Sequence, residues 1–202
     1  MSLAKDAVPT RTNPAPALVT RWDVDPSHVT AQFGVRHMLV STVRGHFEKV
    51  TGHVQLDEAD PTRSRIEIEI DAASVATREA KRDAHLRSAD FFDVENHPKI
   101  TFRSTHIEAA GPQQYRVTGD LTIRGTTKST TLTVSGPTAP QKAPWGAIAR
   151  GVSATGRVNR KDFGLNWNAV IEAGGFVVGD DVELTFEAEL VPAKVGDEPA
   201  AH

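Results

Sequence analysis

Residues 182–190 read VELTFEAEL, and the alternation within them decides the fold. Val182, Leu184, Phe186, Ala188 and Leu190 share one parity, while Glu183, Thr185, Glu187 and Glu189 share the other. A period of two puts one set on one face of a sheet and the other set in water. The same rhythm sets Ile66, Ile68 and Ile70 against Glu67, Glu69 and Asp71. It sets Tyr115, Val117, Gly119, Leu121 and Ile123 against Arg116, Thr118, Asp120, Thr122 and Arg124. Upstream, Val29, Ala31, Phe33, Val35 and His37 oppose Thr30, Gln32 and Arg36. A parallel sheet covered by helices would give apolar runs on both faces, so the pattern predicts an all-β, antiparallel chain. Further strands are expected at roughly 43–57, 99–109, 129–135, 147–159 and 165–172. Gly45, Gly52, Gly119, Gly125, Gly151 and Gly156 punctuate the pattern, and a glycine in a strand marks a bulge, a bend or a close backbone approach.

A sheet with one apolar face buries it against a second sheet or by closing on itself, and closure also removes exposed edges. A barrel of about eight strands has an interior wide enough for packed side chains or one small ligand. Periodicity alone leaves both interiors open, because the same Ile, Leu, Val and Phe residues would fill a solid core. One segment breaks the period. Residues 77–88, TREAKRDAHLRS, predict a short, weakly amphipathic helix with Thr77 at its cap. DFFDVENHP follows as a second short turn that ends before Pro98. One or two short helices among so many strands form a capping segment, not a helical layer.

Composition narrows the function. The chain has 202 residues, with 23 basic against 26 acidic side chains and a formal charge of −3. That balance offers no footprint for nucleic acid and no polybasic anchor, so membrane contact is expected to be transient at most. The absence of cysteine removes disulfides and thiolate sites. The first residues, MSLAKDAVPTRTNPAPALVTR, lack the apolar core of a signal peptide, so the expected location is cytoplasmic. The expected organisation is a flexible N-terminal arm over 1–19, one barrel over 20–192 and a flexible C-terminal tail over 193–202. If the chain self-associates, a homodimer is the expected form.

Four ordered blocks carry a family resemblance. They are WDVDPSHVTAQFGVRHMLVSTVRGHFEKVTGHVQLD, SVATREAKRDAHLRSADFFDVENHPKITFRST, YRVTGDLTIRGTTKSTTL and FGLNWNAVIEAGGFVVGDDVELTFEAEL. Together they resemble the YceI family over nearly all of the body. One departure is local: Ser27 precedes His28 after the aspartate-proline turn, where the family pattern has His then Ser. The resemblance implies a lipocalin-like antiparallel barrel holding a polyisoprenoid, of the prenyl quinone or polyprenyl phosphate type. The roles it implies are lipid storage or transport and stress response, with no required cofactor beyond the bound isoprenoid lipid or quinone.

On that resemblance, the expected lipid contacts are Phe33, Val35, Phe47, Phe102, Leu121, Ile123, Phe163 and Trp167. His37 shares the parity of Phe33 and Val35, so its ring is a candidate hydrogen-bond partner for a quinone carbonyl or a phosphate. Arg82 and His85 lie three apart on the expected helix and share a side. Arg82 or Arg87 is a candidate for an anionic head group, since a guanidinium suits phosphate geometry. The competing reading is that Arg82, Asp83 and His85 anchor the helix to the barrel, with Asp83 accepting backbone hydrogen bonds and His85 capping a strand end. The eight histidines show no HExxH motif and have no cysteine partners, and the seven-residue spacing of His46 and His53 does not by itself converge their nitrogens on a zinc, so no metal is expected. With no nucleophile elbow and no nucleotide loop, no catalytic residue is expected either. The alternative is an enzyme acting on an apolar isoprenoid-like substrate in the same cavity, with His37, His85 and Asp83 as acid–base candidates.

Overall fold

The computed structural model of the chain describes residues 19–38, 40–169 and 177–193. The expected arm and tail lie outside these residues, except that Val19 already begins the first strand and the Ala193 N–H donates to the Arg21 carbonyl.

The strands are β1 (Val19–His37), β2 (Ser41–Phe47), β3 (Val50–Asp57), β4 (Arg65–Asp71), β5 (Val75–Ala76) and β6 (Lys99–Gly111). They continue with β7 (Gln114–Ile123), β8 (Thr126–Ser135), β9 (Gln141–Lys142), β10 (Ile148–Asn159) and β11 (Val178–Pro192). One α-helix, α1 (Ala80–Arg87), follows β5. The sheet runs β11-β10-β8-β7-β6-β4-β3-β1, and β11 pairs back onto β1, so eight antiparallel strands close into a barrel. The first part of β1 pairs with β3 and its second part with β2, so β2 and β3 together complete one wall. That wall corrects the single strand expected at 43–57: it breaks at Glu48 and Lys49, whose N–H groups donate to Ser74.

Bulges keep the apolar side chains facing inward. In β1 the inward parity changes from Trp22 and Val24 to Val29 and Ala31, across a register shift against β11. The expected aspartate-proline turn is therefore an irregularity inside one 19-residue strand, and exposed Pro26 sits where a ladder bond is already interrupted. A second shift, between Ser104 and His106, moves β6 from Phe102 to Ile107 as the inward series. Residues 165–169, expected as part of a strand, carry none, and 170–172 lie outside the described residues. The Arg160 guanidinium takes the carbonyls of Leu165 and Trp167 that a neighbouring strand would have used.

Glycines set the inner face of the wall. Gly45 lies directly opposite Phe33, and Gly52 directly opposite Ile68. A Cβ at Gly119 would come within 2.6 Å of the Phe102 ring, and one at Gly52 within 2.7 Å of Ile68 Cδ1. The large neighbour occupies the missing side chain's place and lies against the wall.

The barrel is solid at one end. Trp22, Val24, Val54, Leu56, Ala188 and Leu190 form a compact cluster there. The Arg150 guanidinium lies 4.6 Å from the Trp22 ring centroid and bonds both Glu58 carboxylate oxygens at 3.0 Å.

Candidate functional site

Above that plug the barrel is hollow. A cavity of about 560 Å³ runs from Val24, Val54 and Leu190 at the closed end to Val35, His37 and Val182 at the other. The volume falls within the range of small-molecule sites, about 300–1,000 Å³. The compact Trp22 cluster closes one end, so the opening lies at the other, among Val35, His37, Val43, Val178 and Val182.

All of Phe33, Val35, His37, Phe47, Arg82, His85, Phe102, Leu121, Ile123, Phe163 and Trp167 line this one cavity. Phe33, Val35 and His37 project from β1, Phe47 from β2, Phe102 from β6, and Leu121 and Ile123 from β7. Phe163 ends a 3-10 turn after β10 and is almost wholly buried. Trp167 comes from the irregular segment that follows. Phe33 and Phe47 rings meet at 5.7 Å, and Phe47 meets Phe92 edge-on at 5.6 Å. Trp167 packs against Phe91 at 5.4 Å and takes the His85 ring edge-on at 4.6 Å. Such pairs fix ring orientation as well as burying area.

The polar residues around the open end face their own chain. Thr77, expected as the helix cap, does not cap it: Glu79 does, accepting from Lys81 N–H and Arg82 N–H. Thr77 is buried, and both its N–H and its hydroxyl donate to Asp83. Its hydroxyl accepts from Arg82 Nε at 2.7 Å and its carbonyl from Arg82 Nη2 at 2.8 Å. Arg82, Thr77 and Asp83 thus form a closed latch that holds α1 to the barrel. Asp83 turns away from the cavity into this latch. His85 does not cap a strand; its Nε2 pairs with Asp90 Oδ2 at 2.8 Å. Arg87 donates to the Ala73 and Val75 carbonyls, both at 2.7 Å.

Two bracing residues are not among the sequence expectations. Arg160, on the 3-10 turn after β10, is 4 % exposed. It donates to the carbonyls of Gly179 and Trp167, both at 2.9 Å, and of Leu165, with Asp180 Oδ1 at 3.3 Å. Burial pushes this guanidinium below the usual arginine value, and Asp180 partly offsets it. Arg124, in the left-handed region at φ 49°, donates to Gly164 O at 2.9 Å and Ala89 O at 2.7 Å. A lone arginine in an alternating pattern reads as solvated, so no sequence signal marks either one.

His28 stands outside the barrel, where Asp25 Oδ2 accepts from its Nδ1 at 3.0 Å and Glu189 lies at 3.8 Å. These three form the only His–carboxylate group with converging ligand atoms among the described residues, within 4.8 Å of one another. His46 and His53 lie on outward positions of β2 and β3. No described helix is long and apolar enough to cross a membrane.

An eight-stranded antiparallel barrel with a blind, apolar interior and a short helical cap defines a lipocalin-like architecture. The YceI-like domain model matches residues 22–190. A UPF0312 protein of Staphylococcus aureus is 33% identical over 172 residues, spanning 85% of this chain and 98% of that protein. Burkholderia cenocepacia BcnA superposes with a TM-score of 0.70 at 25% identity, over 82% of this chain and 98% of its own. A polyisoprenoid binding domain from Saccharophagus degradans, implicated in plant cell wall breakdown, superposes with a TM-score of 0.59 over 87% of this chain and 99% of its own, at 14% identity. The chain belongs to the YceI family.

Proposed function

We propose that this barrel binds a long isoprenoid lipid in its interior and stores or transports it, with no chemical step. The observation that carries the reading is the blind apolar cavity of about 560 Å³ inside a YceI barrel. Its shape suits a flexible hydrocarbon inserted end-on. Each methylene removed from water contributes about 0.8 kcal/mol before the entropic costs of binding are subtracted. Phe33, Val35, Phe47, Phe102, Leu121, Ile123, Phe163 and Trp167 would contact the chain, with His37, Arg82 and His85 nearer the opening. The polyisoprenoid-binding neighbour supports this ligand class.

The test is mass spectrometry of organic extracts from untagged protein purified from its native cell without detergent. A Leu184→Trp variant serves as control, because Leu184 lines the cavity and a larger ring fills part of it. The expected result is a prenyl lipid carried by the wild type and several-fold less by a folded Leu184→Trp protein. An extract free of apolar compounds, or equal loading of the occluded variant, would overturn the reading.

A further inference from the structure

The turn that joins β1 to β2 breaks the usual chemistry of turns. Five non-glycine residues among those described have a left-handed backbone: Met38, Arg78, Asp93, Gln113 and Arg124. Four are polar or charged, and Met38, at φ 51°, is the apolar one. A turn that only reverses the chain favours Asn, Asp or Gly at such a position. Met38 is 41% exposed and Val40, two residues on, is 79% exposed. The Val40 N–H donates to the His37 carbonyl at 3.0 Å, and the Met38 N–H to the Val177 carbonyl at 2.9 Å, so the backbone that presents them is fixed. A local rule broken with no gain in burial marks a functional position. Just inside the turn, Val35 faces Val43 across the hairpin, and both line the cavity together with His37. The apolar tip therefore continues the cavity lining out of the barrel.

The charge around the tip has one sign. Residues 26–47 contain no acidic side chain, and the exposed Arg36 and Arg44 lie on the outward parity of the hairpin. On neighbouring β11, Asp180 is paired with Arg160 and Lys161, and Glu183 with Arg157. Arginine stems can lie along apolar surface while their heads reach phosphate, which suits the boundary between lipid headgroups and acyl chains.

We propose that the β1–β2 turn docks the barrel, opening first, on an anionic phospholipid bilayer, with Met38 and Val40 entering it and Arg36 and Arg44 at the headgroups. What then passes between bilayer and cavity rests on the isoprenoid reading above, whereas docking itself needs no isoprenoid. The experiment uses the full chain and isoprenoid-free vesicles, of phosphatidylcholine alone or of equal parts phosphatidylcholine and phosphatidylglycerol. Co-flotation should show binding to the anionic vesicles that falls as sodium chloride is raised. Met38→Asn combined with Val40→Ser keeps a residue suited to the left-handed position and should weaken binding by about tenfold or more, through lost apolar burial. Arg44→Gln should weaken it by about fivefold. The chain has no cysteine, so Val40→Cys and Trp145→Cys each take one environment-sensitive fluorophore at a single site. Trp145, 80% exposed on the turn between β9 and β10, is the control, because β10 there pairs Arg150 with Leu190 of the plugged end. The Val40→Cys label should shift to the blue on anionic vesicles and the Trp145→Cys label should not. Absence of binding to anionic vesicles, which a protein partner for this turn would give, would overturn the proposal. So would unchanged binding by the Met38→Asn, Val40→Ser protein, or a blue shift of the Trp145→Cys label alone. Vesicle binding by a protein whose native extracts hold no prenyl lipid would uphold docking and remove the isoprenoid reading by itself.

Discussion

Replacing Asp83 with alanine should release α1 from the barrel. The helix has only eight residues, and isolated helices shorter than about 12–15 residues are marginal in water. Its attachment therefore depends on side chains, and Asp83 is the acceptor at their centre. The carboxylate takes the Thr77 N–H at 2.9 Å and the Thr77 hydroxyl, both in buried surroundings. Hydrogen bonds to a charged group contribute about 1.5–3 kcal/mol each, and the stranded Thr77 N–H adds a desolvation cost. The two bonds share one oxygen, so they do not add fully, and the expected loss is about 3 kcal/mol. For a domain of this size that lowers Tm by roughly 6–12 °C. Thr77→Val removes only the hydroxyl between Arg82 and Asp83 and should cost about half as much. The double variant should show a coupling above about 1 kcal/mol, because both changes break one network. Urea denaturation of the four proteins, followed by tryptophan fluorescence, measures each quantity, and hydrogen exchange locates the loss in α1. A free energy for Asp83→Ala within about 0.5 kcal/mol of wild type would refute the latch. It would also return Asp83 to the acid–base candidates, which a protein can lose without unfolding.

Three further outcomes follow from other parts of the molecule. Arg160→Met should cost about 2–4 kcal/mol in urea denaturation, since four main-chain carbonyls and the Asp180 carboxylate lose a buried donor while one desolvation cost is relieved. His28 should titrate above the ordinary imidazole value in an NMR experiment, raised first by the Asp25 hydrogen bond and then by Glu189, and Asp25→Asn should bring it back. Asp25 is held below the usual carboxylate range, first by His28 and then by the Ser27 N–H. The raised imidazole stabilises the fold below its unfolded-state value and stops doing so as pH rises through its native one. The depressed carboxylate stabilises above its unfolded-state value and stops as pH falls through its native one. The pair therefore helps between the two titrations, and thermal melts should show a shallow loss on either side. Gly119→Val should push Phe102 off the wall, lowering both Tm and the amount of lipid extracted per mole; full lipid loading in a folded variant would contradict that placement.

Much of the fold was legible because period two survives in long strands. Ile66 to Asp71 and Val182 to Leu190 kept the faces their alternation assigned. What the alternation could not carry was its own interruption. Nothing in VDPSH distinguishes a turn from a bulge, because both place polar residues and a proline where the ladder fails; only pairing with β11 on either side decides it. The helix cap was misplaced for a related reason. Thr77 and Glu79 are both able to accept N–H groups, and Thr77 was already engaged by Asp83, six residues on. The cavity lining was readable by parity combined with family resemblance, whereas the void was not, since a side chain's identity does not record what it faces. Arg124 and Arg160 were invisible because their partners are carbonyls, which every residue has.

The glycines opposite Phe33, Ile68 and around Phe102 make the bore an adjustable quantity. Each works as a recess into which a bulky neighbour folds back, so the free width depends on a residue contributing no atoms of its own. At Gly45 the atoms in the way are all side chains, whereas at Gly52 and Gly119 a Cβ would also meet a neighbouring strand's carbonyl, so the bore there is tied to the strand spacing itself. Barrels of equal strand number can be gauged for thin or thick hydrocarbon tails at the first kind of recess without any change in their framework.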